Sequence, residues 1–153
     1  MAEAFFYQLD AEPPEAVLPR LLDLAAGRGW PVELRGRGRE RMEALDLALW
    51  GPSTEFRPHG LADGAFDADQ PVLLTWSPGA PPRPCLLAID GAEVGTADAQ
   101  ASERLMVAFD GSDERALTTA RAQWRDLTGA GLPARFYVRE GPSWALKAER
   151  QAH

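Results

Sequence analysis

The chain has 153 residues, of which 45% are hydrophobic, and its formal net charge at pH 7 is −7. This length fits one domain with a substantial core, and the negative charge disfavours strong direct binding to nucleic acid because phosphates would be repelled. No run of residues approaches the roughly 20 apolar positions of a membrane span, and the N-terminal residues lack the features of a signal peptide. Cys85, the only cysteine, cannot form an internal disulfide, so we expect a cytoplasmic protein without membrane association.

The first half of the chain alternates predicted strands with predicted helices. The aromatic-rich stretch AFFYQLD, residues 4–10, is typical of a strand. The next segment predicts a helix over 13–27, because it opens with two prolines, repeats apolar residues at helical spacing and ends at glycine. A second strand over 30–35 and a second helix over 38–50 follow. Residues 51–71 show no clear periodicity, which predicts a long connection of a kind that is often functional.

The second half of the chain contains the strands expected at the centre of the sheet. Strands are predicted over 71–76, 85–90, 104–111 and 134–140. The stretches CLLAID and RLMVAFDG, residues 85–90 and 104–111, are apolar on both faces, as expected of strands that are covered on both sides. The polar stretch between them is predicted to be a loop.

The clearest predicted helix spans 112–131. Ser112 or Asp113 can act as its N-cap, its first turn is acidic, and glycines lie at its end. We expect residues 1–147 to form a single domain and residues 148–153 to be a disordered tail. Strands that alternate with helices predict an α/β domain with a Rossmann-like three-layer architecture, in which a mostly parallel sheet carries helices on both faces.

The usual devices for binding phosphate or metal are missing from the sequence. There is no G-x-x-x-x-G-K-[ST] motif, and no glycine fingerprint follows the first predicted strand, so no phosphate-binding loop is expected. The two histidines are His59 and His153, and Cys85 lies in a predicted strand, so no Cys/His ligand set can be assembled. We therefore expect neither a metal nor a cofactor.

Catalytic residues are equally difficult to assign. The chain has no G-x-S-x-G elbow, and His59, the one plausible general base, has no obvious nucleophile or acid partner. A structural role for His59, with its ring nitrogens bonded to loop carbonyls, is favoured over catalysis. The sequence therefore indicates a protein that is not an enzyme.

Two stretches instead have the composition of recognition surfaces. The first is the segment after the second helix, where Trp50, Phe56 and Pro58 are residue types that anchor interfaces. The alternative is that Trp50 caps the apolar stripe of the helix and Phe56 covers an edge of the sheet.

The second stretch is the helix over 112–131. Arg121 and Arg125 are four residues apart, with Trp124 on the same face and Leu117 one turn earlier. Two guanidinium groups beside apolar surface suit a carboxylate together with an aromatic side chain, as at the end of an acidic peptide. The alternative is that the arginines are solvated while the core stripe of the helix consists of Ala116, Ala120, Trp124 and Leu127.

The sequence resembles the chi subunits of bacterial DNA polymerase III, which belong to the clamp-loader complex. The resemblance rests on FYQLD near the start, RMEALDLALW followed by EFRPHGLADG, and then QPVLLTW, and it extends over about residues 4–147. Its most specific part runs from LDLALW to PHGLA. The resemblance implies a non-enzymatic adaptor of the replisome, with a Rossmann-like fold that lacks the phosphate loop and a cytoplasmic location at the nucleoid.

The resemblance also implies two binding surfaces. Trp50, Phe56 and Pro58 match positions that bind the psi subunit or another clamp-loader component, and the same surface is implied for a DNA helicase. His59 then has a structural role in that loop.

Arg121, Trp124 and Arg125 match positions that bind the acidic, phenylalanine-terminated tail of single-stranded-DNA-binding protein, and Leu117 lies beside them. The family often carries more lysine here, whereas Leu117 and Asp110 occupy neighbouring positions in this chain.

A competing hypothesis is a Rossmann-like nucleotide-binding protein or enzyme without the standard motifs. It predicts a concave pocket, lined by polar groups, at the carboxyl ends of the central strands.

Overall fold

The computed structural model describes residues 2–49, 60–62, 70–77 and 79–151. Within these ranges the strands are β1 (Glu3–Leu9), β2 (Val32–Arg35), β3 (Gly60–Leu61), β4 (Val72–Thr75), β5 (Cys85–Ile89), β6 (Arg104–Asp110), β7 (Ala134–Glu140) and β8 (Ser143–Arg150). The α-helices are α1 (Leu18–Gly27), α2 (Arg39–Leu49), α3 (Thr96–Gln100) and α4 (Glu114–Gly129), and a short 3-10 turn, Pro14–Ala16, precedes α1.

The described strands form one sheet in the order β3-β4-β2-β5-β6-β1-β7-β8. The paired strands run parallel, apart from β8, which is antiparallel to β7. β5 is buried along its whole length and lies between β2 and β6, which agrees with its apolar sequence on both faces. The prediction of an α/β domain with a mostly parallel sheet is confirmed.

The helices cover both faces of this sheet. Leu21 of α1 and Met42 of α2 are buried in one apolar cluster, whereas Ala99 of α3 and Ala120 of α4 are buried in a second cluster on the opposite face. The predicted three-layer architecture is therefore confirmed. Cys85 is fully buried in the first cluster, and burial raises the pKa of its thiol to about 12, so it stays protonated and unreactive.

A buried polar cluster connects β2 to its neighbours. Arg35 Nε lies 2.9 Å from Glu33 Oε2, and Arg35 Nη2 lies 3.2 Å from Asp98 Oδ1 on α3. Thr75 Oγ1 of β4 donates a hydrogen bond of 2.8 Å to Glu33 Oε2. Burial disfavours the charged form of Arg35, but its hydrogen bonds to the two carboxylates outweigh this effect and raise its pKa.

Two sequence predictions are wrong in detail. The polar stretch over 91–103 contains the short helix α3, which was predicted to be loop. The expectation of a disordered tail from residue 148 is wrong for residues 148–150, which belong to β8. This strand forms because the turn at Gly141 (φ 58°) returns the chain along β7, and Trp144 then packs edge-on against Tyr7 with the ring centroids 5.5 Å apart.

Candidate functional site

A cleft with a volume of about 590 Å³ lies between α4 and the β7–β8 hairpin. We call it the α4 cleft, and it is lined by Gln8, Thr118, Arg121, Trp124, Arg125, Phe136, Val138, Lys147 and Ala148. Its volume lies within the range of roughly 300–1,000 Å³ that is typical of ligand pockets. Three of the four residues predicted from the sequence for tail binding therefore line one cleft.

The position of the arginines follows from the geometry of α4. Asp113 is the N-cap, and its carboxylate accepts hydrogen bonds from the backbone N–H of Arg115 (3.0 Å) and of Ala116 (3.4 Å). From this start, helical spacing places Arg121 and Arg125 one turn apart on the side that faces β8. Both arginines are exposed, and neither forms an ion pair with any described residue. Their charge is available to a ligand.

Aromatic rings form the apolar floor of the α4 cleft. Trp124 is partly buried, and its ring centroid lies 5.5 Å from that of Phe6 and 5.7 Å from that of Phe136. Phe6 and Phe136 are themselves stacked, with their centroids 5.7 Å apart. Trp124 thus packs against the core, as the alternative interpretation expected, and it also lines the cleft.

Leu117 and Asp110 lie outside this cleft. Leu117 is partly buried and packs against the apolar cluster beneath α4, so it is not one of the lining residues. Asp110 lies at the end of β6, where its carboxylate accepts hydrogen bonds from Ser112 and from the backbone N–H of Ala11, at 2.8–3.1 Å. The bond from the backbone of Ser112 is the main reason that the pKa of Asp110 is lowered.

Lys147 was missed by sequence reasoning. It is the only lysine of the chain, and it reaches the α4 cleft because β8 returns along β7. No strand was predicted for its segment, and a disordered tail was expected to begin at the next residue. The signal that could have found it is the Gly-Pro pair between FYVRE and SWALKAER, which is typical of a hairpin turn.

A second, more polar cleft of about 320 Å³ lies at the carboxyl ends of β2, β4 and β5. We call it the strand-end cleft, and it is lined by Arg35, Gly36, Arg37, Trp76, Ser77, Gly91, Glu93, Arg115 and Thr119. Arg35 is already neutralised by Glu33 and Asp98. Arg37 and Arg115 are exposed and make no ion pair within the described ranges, so they could contact an anion.

The other predicted surface belongs to the segment that follows α2. Trp50, Phe56, Pro58 and His59 lie outside the described residues. Among the residues that are described, no three acidic, histidine or cysteine side chains are grouped in a way that could hold a metal ion. The helices of the same ranges are all too short or too polar to cross a membrane.

The fold and its clefts define a class: a Rossmann-like α/β domain whose sequence carries no P-loop motif, with a basic and aromatic cleft on one helical face. The family model described as DNA polymerase III chi subunit, HolC, matches residues 1–135. The chain therefore belongs to the DNA polymerase III chi subunit family, as the resemblance implied, and is an accessory subunit of the polymerase that acts in DNA replication. A comparison with curated proteins finds no match.

Proposed function

We propose that this accessory subunit is a non-catalytic adaptor whose α4 cleft binds the acidic, phenylalanine-terminated C-terminal tail of single-stranded-DNA-binding protein. The observation that carries the proposal is that Arg121 and Arg125, which form no ion pair with any described residue, lie beside the partly exposed ring of Trp124 in one cleft. The family membership supports a partner within the replisome.

The chemistry of the cleft suits both the acidic residues and the terminal phenylalanine of this tail. Guanidinium groups bind carboxylates through paired, charge-assisted hydrogen bonds, which serves the acidic residues and the terminal carboxylate of the tail. The floor formed by Trp124 and Phe136 offers edge and face contacts to a phenylalanine ring. Because the protein carries a net charge of −7, an acidic peptide would gain little from long-range attraction and would bind through these local contacts.

A synthetic peptide that ends in Asp-Pro-Phe and carries upstream acidic residues is expected to bind the full-length protein. Its affinity should fall as salt is added, because exposed charges are screened. Fluorescence anisotropy of the labelled peptide measures this directly. A peptide with the terminal phenylalanine changed to alanine is the matched control and should bind more weakly at every salt concentration. The absence of measurable binding at low salt would overturn the proposal.

We further propose that Trp50, Phe56 and Pro58 form the surface that contacts the psi subunit or another clamp-loader component, with His59 holding the loop. Membership of the chi family supports this assignment. Leu47 supports a partner contact near this end of α2, because this apolar side chain is 72% exposed and precedes Trp50 by three residues in the sequence. A DNA helicase is a further partner for the same surface.

Nucleotide binding is a second candidate function, and the strand-end cleft is the observation that favours it. The cleft has the position that ligands take in open α/β sheets, and Arg37 and Arg115 could contact a phosphate. The arginine at the bottom of this cleft is already neutralised by two carboxylates, and the sequence has no glycine-rich loop. Few groups are therefore left to bind a nucleotide. A thermal-shift screen with nucleoside mono-, di- and triphosphates tests this function, and an unchanged melting temperature would remove its support.

A further inference from the structure

A β-bulge in the β7–β8 hairpin directs Lys147 into the α4 cleft. Tyr137 pairs with Leu146 and Phe136 pairs with Ala148, so Lys147 is the extra residue of β8. Two consecutive residues, Lys147 and Ala148, therefore lie opposite Phe136, and both line the cleft with it. The bulge gives this wall of the cleft a cation that faces the arginines of α4.

In the unbound protein Lys147 already has a carboxylate partner. Lys147 Nζ lies 3.0 Å from Glu140 Oε1, and the two side chains are 52% and 55% exposed. Exposed ion pairs of this kind contribute little to stability, because water and salt screen them. A carboxylate from a ligand can therefore replace Glu140 at small cost, and Glu140 competes with any such ligand.

The same hairpin carries a second ion pair that serves as a natural control. Arg135 Nε lies 2.8 Å from Glu149 Oε2. Arg135 lies next to Phe136 in β7 and pairs with Glu149, so both project from the opposite face of the hairpin. Removing the charge of Glu149 changes the net charge as much as removing that of Glu140, but it leaves Lys147 with its partner.

We infer that Lys147 is a carboxylate-binding residue of the α4 cleft and that Glu140 occupies it until an acidic peptide displaces this glutamate. This inference rests on the proposed function of the cleft and adds a specificity residue and a built-in competitor to it. Both residues lie beyond residue 135, where the family match ends. A lysine on an edge strand also discourages pairing with other sheets, and the binding measurement separates the two roles.

The experiment titrates the labelled acidic peptide against the full-length wild type and the variants Glu140→Gln, Lys147→Gln, Glu140→Gln/Lys147→Gln and Glu149→Gln at low salt. Glu140→Gln should bind about threefold to fivefold more tightly and Lys147→Gln weaker by a similar factor, since an exposed charge pair is worth up to about a fivefold change in affinity. The double variant should bind like Lys147→Gln, because Glu140 acts through Lys147. Glu149→Gln should stay within about twofold of the wild type.

The outcomes separate this inference from the proposed function. If the wild type binds the peptide and neither Lys147→Gln nor Glu140→Gln changes the affinity, the role of Lys147 is overturned and the proposed function stays in place. Equal gains in Glu140→Gln and Glu149→Gln would show a general effect of net charge and also overturn it. If neither the wild type nor Glu140→Gln binds the peptide, the proposed function and this inference both fail. Circular dichroism of each variant verifies that the fold is retained.

Discussion

Replacing Arg121 with alanine is expected to weaken binding of the acidic peptide by about 1 kcal/mol or more, which is roughly a fivefold loss of affinity. Arg121 is exposed at the rim of the α4 cleft and has no ion-pair partner among the described residues, so the variant removes a contact with the ligand and leaves the core intact. The double variant Arg121→Ala/Arg125→Ala should lose most of the binding. Anisotropy titrations at low salt measure both effects.

Two matched variants separate the local contact from other causes. Arg20→Ala removes the same charge from an exposed position of α1, on the opposite face of the sheet, and should leave the affinity nearly unchanged. An equal loss in Arg20→Ala would mean that the peptide senses only net charge.

Trp50→Ala should keep peptide binding but lose capture of the clamp-loader partner from a native lysate, with the captured subunits identified by mass spectrometry. Arg121→Ala should show the reverse pattern.

The sequence was sufficient where local patterns determine the structure. β5 and β6 are apolar on both faces, and strands of this kind lie at the centre of sheets that are covered on both sides. Asp113 was one of two predicted N-caps, and the helix that it begins brings Arg121, Trp124 and Arg125 to one cleft. Helical spacing placed these three residues on one face of the helix, and the resemblance to the chi subunits singled out that face as a candidate site.

The rest depends on contacts between residues far apart in the chain. β8 is an edge strand of mostly exposed residues, so its sequence carries no clear apolar alternation, and its pairing with β7 brings Lys147 into the α4 cleft. The partner of Arg35 on α3, Asp98, is likewise 63 residues away. Neither contact leaves a periodic signal in the sequence, because a salt bridge or a bulge involves single residues and not a repeated spacing.

Replacing Arg35 with leucine is expected to lower the free energy of unfolding by about 3–5 kcal/mol, the cost of removing one member of a buried ion pair. Arg35 is 5% exposed, and it is bonded to the carboxylates of Glu33 and Asp98 and to the backbone carbonyl of Glu93. Without it, the carboxylate of Glu33 stays buried, and among the described residues Thr75 is the hydrogen-bond donor that it keeps. Urea denaturation followed by circular dichroism measures the loss as a lower midpoint.

The reason for this loss can be tested by removing the other charge as well. The variant Glu33→Leu/Arg35→Leu leaves no uncompensated carboxylate on β2, and a buried ion pair replaced by apolar residues is often neutral in stability. We therefore expect the double variant to recover much of the stability lost in Arg35→Leu. Arg39→Leu is the matched control, because the ion pair of Arg39 with Glu43 is exposed to solvent and its guanidinium lies over the Trp76 ring. This substitution should lower the free energy of unfolding by about 1 kcal/mol or less. If the double variant is no more stable than Arg35→Leu, the stability lost in Arg35→Leu comes from the lost packing of the guanidinium and not from an unpaired carboxylate.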